Sequence, residues 1–171
     1  MQTPRTIVII GAGEIGQALT RGLSVNRDKV ILCDADFNQA CSFVEQLKST
    51  NPASDVEALL CSYEATWEAD IILLACATCN EKKDIARKIR PVASQKIVVT
   101  VEEGVKDLEE LLPDSHIVQA FTGLQVTDFE RSYSQKNTIE CMISGKDQEA
   151  LNTVTGLVET LGFKPSPCPI L

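Results

Sequence analysis

Ile7-Val8-Ile9-Ile10-Gly11-Ala12-Gly13-Glu14-Ile15-Gly16 is the stretch that decides the fold. Ile7 to Ile10 is an unbroken apolar run, as expected of a strand buried on both faces of a parallel sheet. A G-x-G-x-x-G follows at once. Glu14 to Val25 then carries a helical stripe of Ile15, Ala18, Leu19 and Leu23. In a strand–turn–helix each glycine has a distinct task. Gly11 lets the chain turn sharply, Gly13 lets an outside group approach the backbone, and Gly16 lets the helix pack closely on the strand. Free N–H groups at the positive end of that helix suit a pyrophosphate. Gly11, Ala12, Gly13, Glu14, Ile15 and Gly16 are therefore expected to hold the pyrophosphate of a dinucleotide. The competing reading is a glycine turn with no ligand.

Lys29 to Cys33 reads as a second strand, and it ends in an acid, Asp34, eighteen residues beyond Gly16. A carboxylate there can accept hydrogen bonds from the adenosine ribose hydroxyls. Ala35, next to it, joins the expected cofactor-binding set. A ribose 2′-phosphate within ~4 Å of that carboxylate would cost about 4 kcal/mol at an effective dielectric of 20. Asp36 adds a second negative charge, and no Lys or Arg follows until Lys48. NAD is therefore the expected cofactor, ahead of NADP.

Outward from this unit, β-branched runs alternate with amphipathic ones. Helical patterns are expected over 35–47, 80–89 and 147–161, with shorter helices or helical turns at 63–69 and 108–112. Further strands are expected at 56–61, 71–76, 96–101, 117–121, 138–144 and 163–167. The stretch 122–137 is polar and without pattern, and reads as a loop over the site. Alternation of this kind implies an α/β fold of Rossmann type. Its doubly wound, mostly parallel sheet should have about eight strands, with helices on both faces. The chain has 171 residues, which suits a single dinucleotide-binding domain over 1–171.

The net charge is −8, which disfavours nucleic acid and anionic membrane surfaces as partners. No apolar run approaches the ~20 residues that a bilayer requires. The start of the chain has no signal-peptide pattern. Seven cysteines, several in strand-like runs, fit reduced thiols used as small hydrophobes, and a cytoplasmic location is expected. Cys168-Pro169-Ile170-Leu171 has the outline of a prenylation box, but no basic cluster precedes it, so it is read as part of the fold.

Four stretches together resemble a known family. They are Ile7 through Leu19, Ala69-Asp70-Ile71-Ile72-Leu73-Leu74-Ala75, Ile117-Val118-Gln119-Ala120-Phe121, and Ile143-Ser144-Gly145-Lys146-Asp147 through Leu161-Gly162-Phe163. The chain resembles the short Rossmann reductases typified by the deazaflavin-dependent NADP oxidoreductases. More distantly it resembles the NAD(P)-binding domains of pyrroline-5-carboxylate and 6-phosphogluconate dehydrogenases. The resemblance implies an eight-stranded sheet. It also implies an enzyme that transfers hydride between a nicotinamide and a small acceptor or second redox cofactor, largely by juxtaposing two rings. The helical dimerisation domain of the two dehydrogenases has no counterpart in these stretches, so their activities are not expected. A homodimer remains open.

The chain departs from the family where substrates bind. Cys76-Ala77-Thr78 replaces a proline after the fourth strand. Val101-Glu102-Glu103-Gly104 replaces an Asn-Pro after the fifth, and Phe121-Thr122 a Phe-Asn after the sixth. Cys76, Ala77, Thr78 and Thr122 are expected at the nicotinamide end, where the two hydroxyls can reach a ribose or the amide. Glu102 and Glu103 can contact a ribose or a cationic substrate, or simply face water. Cys76-Ala77-Thr78-Cys79 is a C-x-x-C that reads either as a redox dithiol or as a core residue followed by a loop. No metal site and no catalytic acid–base set is expected, and His116, the single histidine, falls at the far end of its strand. The alternative function is a non-catalytic dinucleotide-binding or redox-sensing module within an assembly.

Overall fold

Strands with no polar face must be covered on both sides, and the order of elements shows how. A computed structural model describes residues 3–168. Its strands are β1 (Thr6–Ile10), β2 (Lys29–Cys33), β3 (Val56–Leu59), β4 (Ile71–Leu74), β5 (Ile97–Thr100), β6 (His116–Gln119), β7 (Glu140–Gly145) and β8 (Lys164–Pro167). The helices are α1 (Glu14–Leu23), α2 (Phe37–Thr50), α3 (Ser62–Glu68), α4 (Cys79–Ile89), α5 (Val105–Leu111), α6 (Val126–Ser134) and α7 (Gln148–Thr160). The sheet runs β3-β2-β1-β4-β5-β6-β7-β8. Every pairing is parallel except β6 with β7. The Rossmann-type α/β fold expected from the sequence is the fold observed.

The period of two along each strand divides the core into two layers. Ile7, Ile9, Leu32 and Leu73 face one layer, packed with Leu19 and Leu23 of α1, Val44 of α2 and Val154 of α7. Val8, Ile10, Ile31 and Leu74 face the other, with Ala65 of α3, Ala86 and Ile89 of α4 and Leu108 of α5. The strand order reverses between β1 and β4, so a crevice opens at their carboxyl ends. At the opposite end, acids satisfy strand N–H groups. Asp28 accepts from the Arg5 N–H at 2.9 Å and Asp70 from the Thr6 N–H at 2.8 Å.

β8 closes one edge of the sheet. Lys164 and Cys168 donate their N–H groups to β7 and its lead-in, at the carbonyls of Ile139 and Ile143. Pro165 and Pro167 alternate with them, so the outward positions have no N–H to offer another strand.

The stretch 122–137 is not the patternless loop expected from its sequence. Residues 126–134 form α6, opened by a capping box between Gln125 and Asp128. Its inward face is too short to make a stripe: Phe129 and Ser132 are the buried residues. Phe129 nevertheless joins Phe121 and Phe163 in an aromatic cluster, 6.1 Å and 5.0 Å from them between ring centroids. Tyr133 donates its hydroxyl to the Ala18 carbonyl of α1 at 3.2 Å. Likewise 105–111 is a full helix where only a helical turn at 108–112 was expected. The terminal tetrapeptide seen as a prenylation outline lies, beyond Cys168, outside the described residues.

Phe129→Ala should cost about 3–5 kcal/mol of stability, measured by urea unfolding. A loss below about 1 kcal/mol would mean that α6 is not anchored by this cluster.

Candidate functional site

The glycine turn is held from three sides. The Gly11 N–H donates to the Cys33 carbonyl at 2.8 Å, which ties the turn to β2. Gly11 has φ +115°, and a Cβ there would stand 2.3 Å from the Ala75 carbonyl oxygen beyond β4. A Cβ on Gly16 would stand 1.7 Å from the Gly11 oxygen. The fold itself therefore demands both glycines. Gly13 differs: its φ of −70° suits any residue, and a Cβ there meets nothing within 4 Å. No contact within the protein explains a glycine at 13. Gly13 is also the N-cap of α1, and no side chain caps that helix, whereas Asp36 caps α2, Thr78 caps α4 and Asp147 caps α7.

Asp34 stands at the carboxyl end of β2, half-buried, with both oxygens engaged. One accepts the Ala12 N–H at 2.6 Å and the other the Asp36 N–H at 2.7 Å. Each carboxylate oxygen has a second lone pair to offer. The Ala12 N–H is thus spent inside the protein, and the Ala12 side chain is buried in the core.

A cavity of about 410 Å³ opens over this turn. Gly11, Gly13, Asp34, Ala35, Cys76 and Ala77, all expected at the site, line it. Ala12, Glu14, Ile15, Gly16, Thr78 and Thr122, expected with them, do not. Gly16 and Ala12 act beneath the turn. Glu14 is exposed and Ile15 packs against the core. Thr78 forms the capping box of α4, accepting from the Glu81 N–H at 3.2 Å while Glu81 accepts from the Thr78 N–H at 3.1 Å. Thr122 is exposed after the left-handed Phe121 and accepts from the Gln119 amide at 3.1 Å.

The sequence reading missed the far wall. Glu81, Asp84 and Ile85 of α4 line the cavity, as does Gln39 of α2. A second hollow of about 510 Å³ adjoins it through Ile10, Asp34, Ala35, Asp84 and Ile85, and adds Leu60, Cys61, Ser62 and Lys88. Residues 81, 84, 85 and 88 follow the i, i+3, i+4, i+7 spacing of one helix face, which is a signal present in the sequence.

Behind the β5 end, Lys82 is buried. Its ammonium donates to the Glu103 carbonyl at 2.7 Å and to the Thr100 hydroxyl at 3.4 Å. Thr100 in turn donates to the Glu102 carbonyl at 2.9 Å. This brace fixes the turn that carries the exposed Glu102 and Glu103 side chains. His116 lies at the amino end of β6, 3.7 Å from Asp147, at the end of the sheet away from the cavity. Among the described residues no helix is long and apolar enough to cross a membrane.

The C-x-x-C resolves as one core thiol and one surface thiol. Cys76 is buried, its thiol toward the Ile10 carbonyl at 3.7 Å, while Cys79 is exposed at the start of α4. Burial pushes the Cys76 thiol up to about 12, with Glu81 adding to the effect. Burial likewise pushes Cys33 to about 12 and Cys141 to about 11. A thiol so raised is almost wholly protonated at pH 8 and a poor nucleophile. Iodoacetamide at pH 8 should therefore modify Cys79 on the native protein and Cys33, Cys76 and Cys141 only after unfolding, read by mass spectrometry. Rapid native labelling of Cys76 would contradict this account.

Comparison with known proteins places this geometry. Among solved structures, a hypothetical protein SMa0349 from Sinorhizobium meliloti superposes with a TM-score of 0.71 at 20% identity, over 98% of this chain and 85% of that one. A protein assigned as an F420-dependent NADP reductase from Arthrobacter sp. FB24 gives 0.79 at 13% identity, over 97% and 84%. The 3-hydroxyisobutyrate dehydrogenase of Mycobacterium tuberculosis gives 0.76 at 16% identity, over 98% of this chain but 55% of its own length. These likenesses show a shared fold. No curated protein sequence matches closely enough to count as a relative. The family model described as "NADP oxidoreductase coenzyme F420-dependent" matches residues 6–104, more than half of the chain. The chain belongs to that family of coenzyme F420-dependent NADP oxidoreductases.

Proposed function

We propose that the cleft binds NAD(H) and that the chain is an NAD(P)-dependent oxidoreductase, transferring hydride between the nicotinamide and a small acceptor or second redox cofactor. The observation that carries this reading is Gly13, a glycine that the fold does not need, facing open space at an uncapped helix N-terminus. A pyrophosphate is the group that uses both features. Gly13 lets it approach, and the first-turn N–H groups of α1 donate to it. The spare lone pairs of Asp34 accept from the adenosine ribose. Leu60, Ile85 and Ala35 supply apolar surface on the adenosine side, and Cys76 and Ala77 line the approach to the other half. When bound, the nicotinamide supplies a two-electron hydride carrier. The Cys76 thiol stays neutral beside it and takes no part as a nucleophile.

The preference for NAD over NADP rests on charge. Asp34, Asp36 and Asp84 gather at or beside the adenosine end, against the single ammonium of Lys88. A 2′-phosphate adds negative charge to that set. A preference for NAD would set the chain apart from the NADP in its family's description. The chain acts as a single domain, with cytoplasm as the compartment that keeps its buried thiols reduced. The second reading, a non-catalytic dinucleotide-binding module, is favoured by the cavity wall, whose titratable side chains are carboxylates and one protonated thiol.

Three variants test the site. Gly13→Asp should fold with a Tm close to wild type yet lose about a hundredfold or more in NADH affinity, because a carboxylate meets the pyrophosphate. Gly16→Ala should fail at the level of folding. Asp34→Arg should shift preference toward NADPH in fluorescence titrations. Undiminished NADH binding by Gly13→Asp would remove the site assignment. Turnover separates the two readings: binding of NADH without its oxidation by flavin, quinone or carbonyl acceptors would favour the module.

A further inference from the structure

The cavity wall carries charge of one sign. Its charged residues are Asp34, Glu81 and Asp84, all acids. In the same wall burial raises the Cys76 thiol most, the Glu81, Asp34 and Glu102 carboxylates raise it further, and the Lys82 ammonium opposes them. Lys82 is committed to the Glu103 carbonyl and the Thr100 hydroxyl, and is buried behind the turn. Glu81 is held at the start of α4 by its capping box, and Glu102 is carried by the turn that Lys82 braces. The Glu81 carboxylate is thus fixed beyond the carboxyl end of β4, and the backbone that carries Glu102 is fixed beyond that of β5.

The strand order assigns the two halves of a dinucleotide to different ends of the crevice. The adenosine half belongs to Asp34 on β2, which leaves the nicotinamide half to β4 and β5. The oxidised and reduced cofactors share their adenine, riboses and pyrophosphate. They differ by one positive charge on the oxidised ring. Interactions with the shared parts cancel in a comparison of the two, and the field at the nicotinamide end does not.

We infer that this end of the cleft selects the oxidised, cationic nicotinamide over the reduced, neutral one, and that Glu81 and Glu102 set the preference. The inference rests on the dinucleotide reading above. An exposed carboxylate near the ring charge favours the cation by about threefold at a dielectric close to that of water. Two carboxylates then bias the cleft by about tenfold, and salt weakens the bias.

Titration calorimetry with NAD⁺, NADH and ADP-ribose at low ionic strength tests this. Wild-type protein should bind NAD⁺ about tenfold more tightly than NADH. The double variant Glu81→Gln, Glu102→Gln should bring the two affinities to within about twofold, since Gln at position 81 preserves the capping box. Circular dichroism on the variant checks that its fold is retained. NADH binding as tight as NAD⁺ in the wild type, or an unchanged ratio in the folded double variant, would overturn the inference while leaving the dinucleotide site standing. Absence of binding by all three ligands, ADP-ribose included, would overturn the dinucleotide reading and this inference with it.

Discussion

The start of α1 lies almost in contact with the turn that precedes it, and the rest of the molecule depends on that approach. Gly16 sits where a single added carbon would stand 1.7 Å from the Gly11 oxygen. Because α1 can come so close, Leu19 and Leu23 reach the layer of Ile7 and Ile9. The same approach aims the helix N-terminus along the carboxyl edge of the sheet. The turn is then pinned to its neighbours, by the Gly11 N–H on the Cys33 carbonyl and the Ala12 N–H on Asp34. What remains uncommitted is the outward side at Gly13. A structural requirement and the proposed binding surface thus share one six-residue turn.

Most of the fold was legible because its strands are buried on both faces. Ile7–Ile10, Val30–Cys33 and Ile71–Leu74 are apolar throughout, and such runs read clearly between helical stripes. α6 was illegible because it buries only Phe129 and Ser132, and the partners it finds through Phe129 and Tyr133 include Phe163 and Ala18, which are remote in sequence. At the site, the glycine turn and Asp34 could be read from local spacing. The spacing of 81, 84, 85 and 88 marks a helix face, but only the fold shows that this face shares a hollow with the end of β2. The bond from the Ala12 N–H to Asp34 was illegible for a related reason: a backbone N–H gives no sequence signal of its partner.

Membership of the oxidoreductase family rests on residues 6–104, which run from the start of β1 to the turn before α5. Within that span lie the glycine turn and the carboxyl ends of β1, β2, β4 and β5. Acids stand at Asp34, Glu81 and Glu102, and Lys82 is drawn behind the sheet as a brace. The hydrogen bonds that build the cleft, more than any single catalytic group, determine what it can hold. In the proposed function, strand pairing sets where the two halves of a dinucleotide fall, and the carboxylates set which charges are welcome there.

The central claim is that a dinucleotide lies across the Gly13 turn, and backbone amide NMR during a titration with NAD⁺ tests it most directly. The account predicts shifts concentrated at Gly13 to Ile15, at Asp34 to Asp36 and at Cys76 to Glu81, with the far end around His116 and Asp147 unmoved. Shifts clustered at His116 and Asp147, or none at Gly13 under saturating ligand, would contradict it.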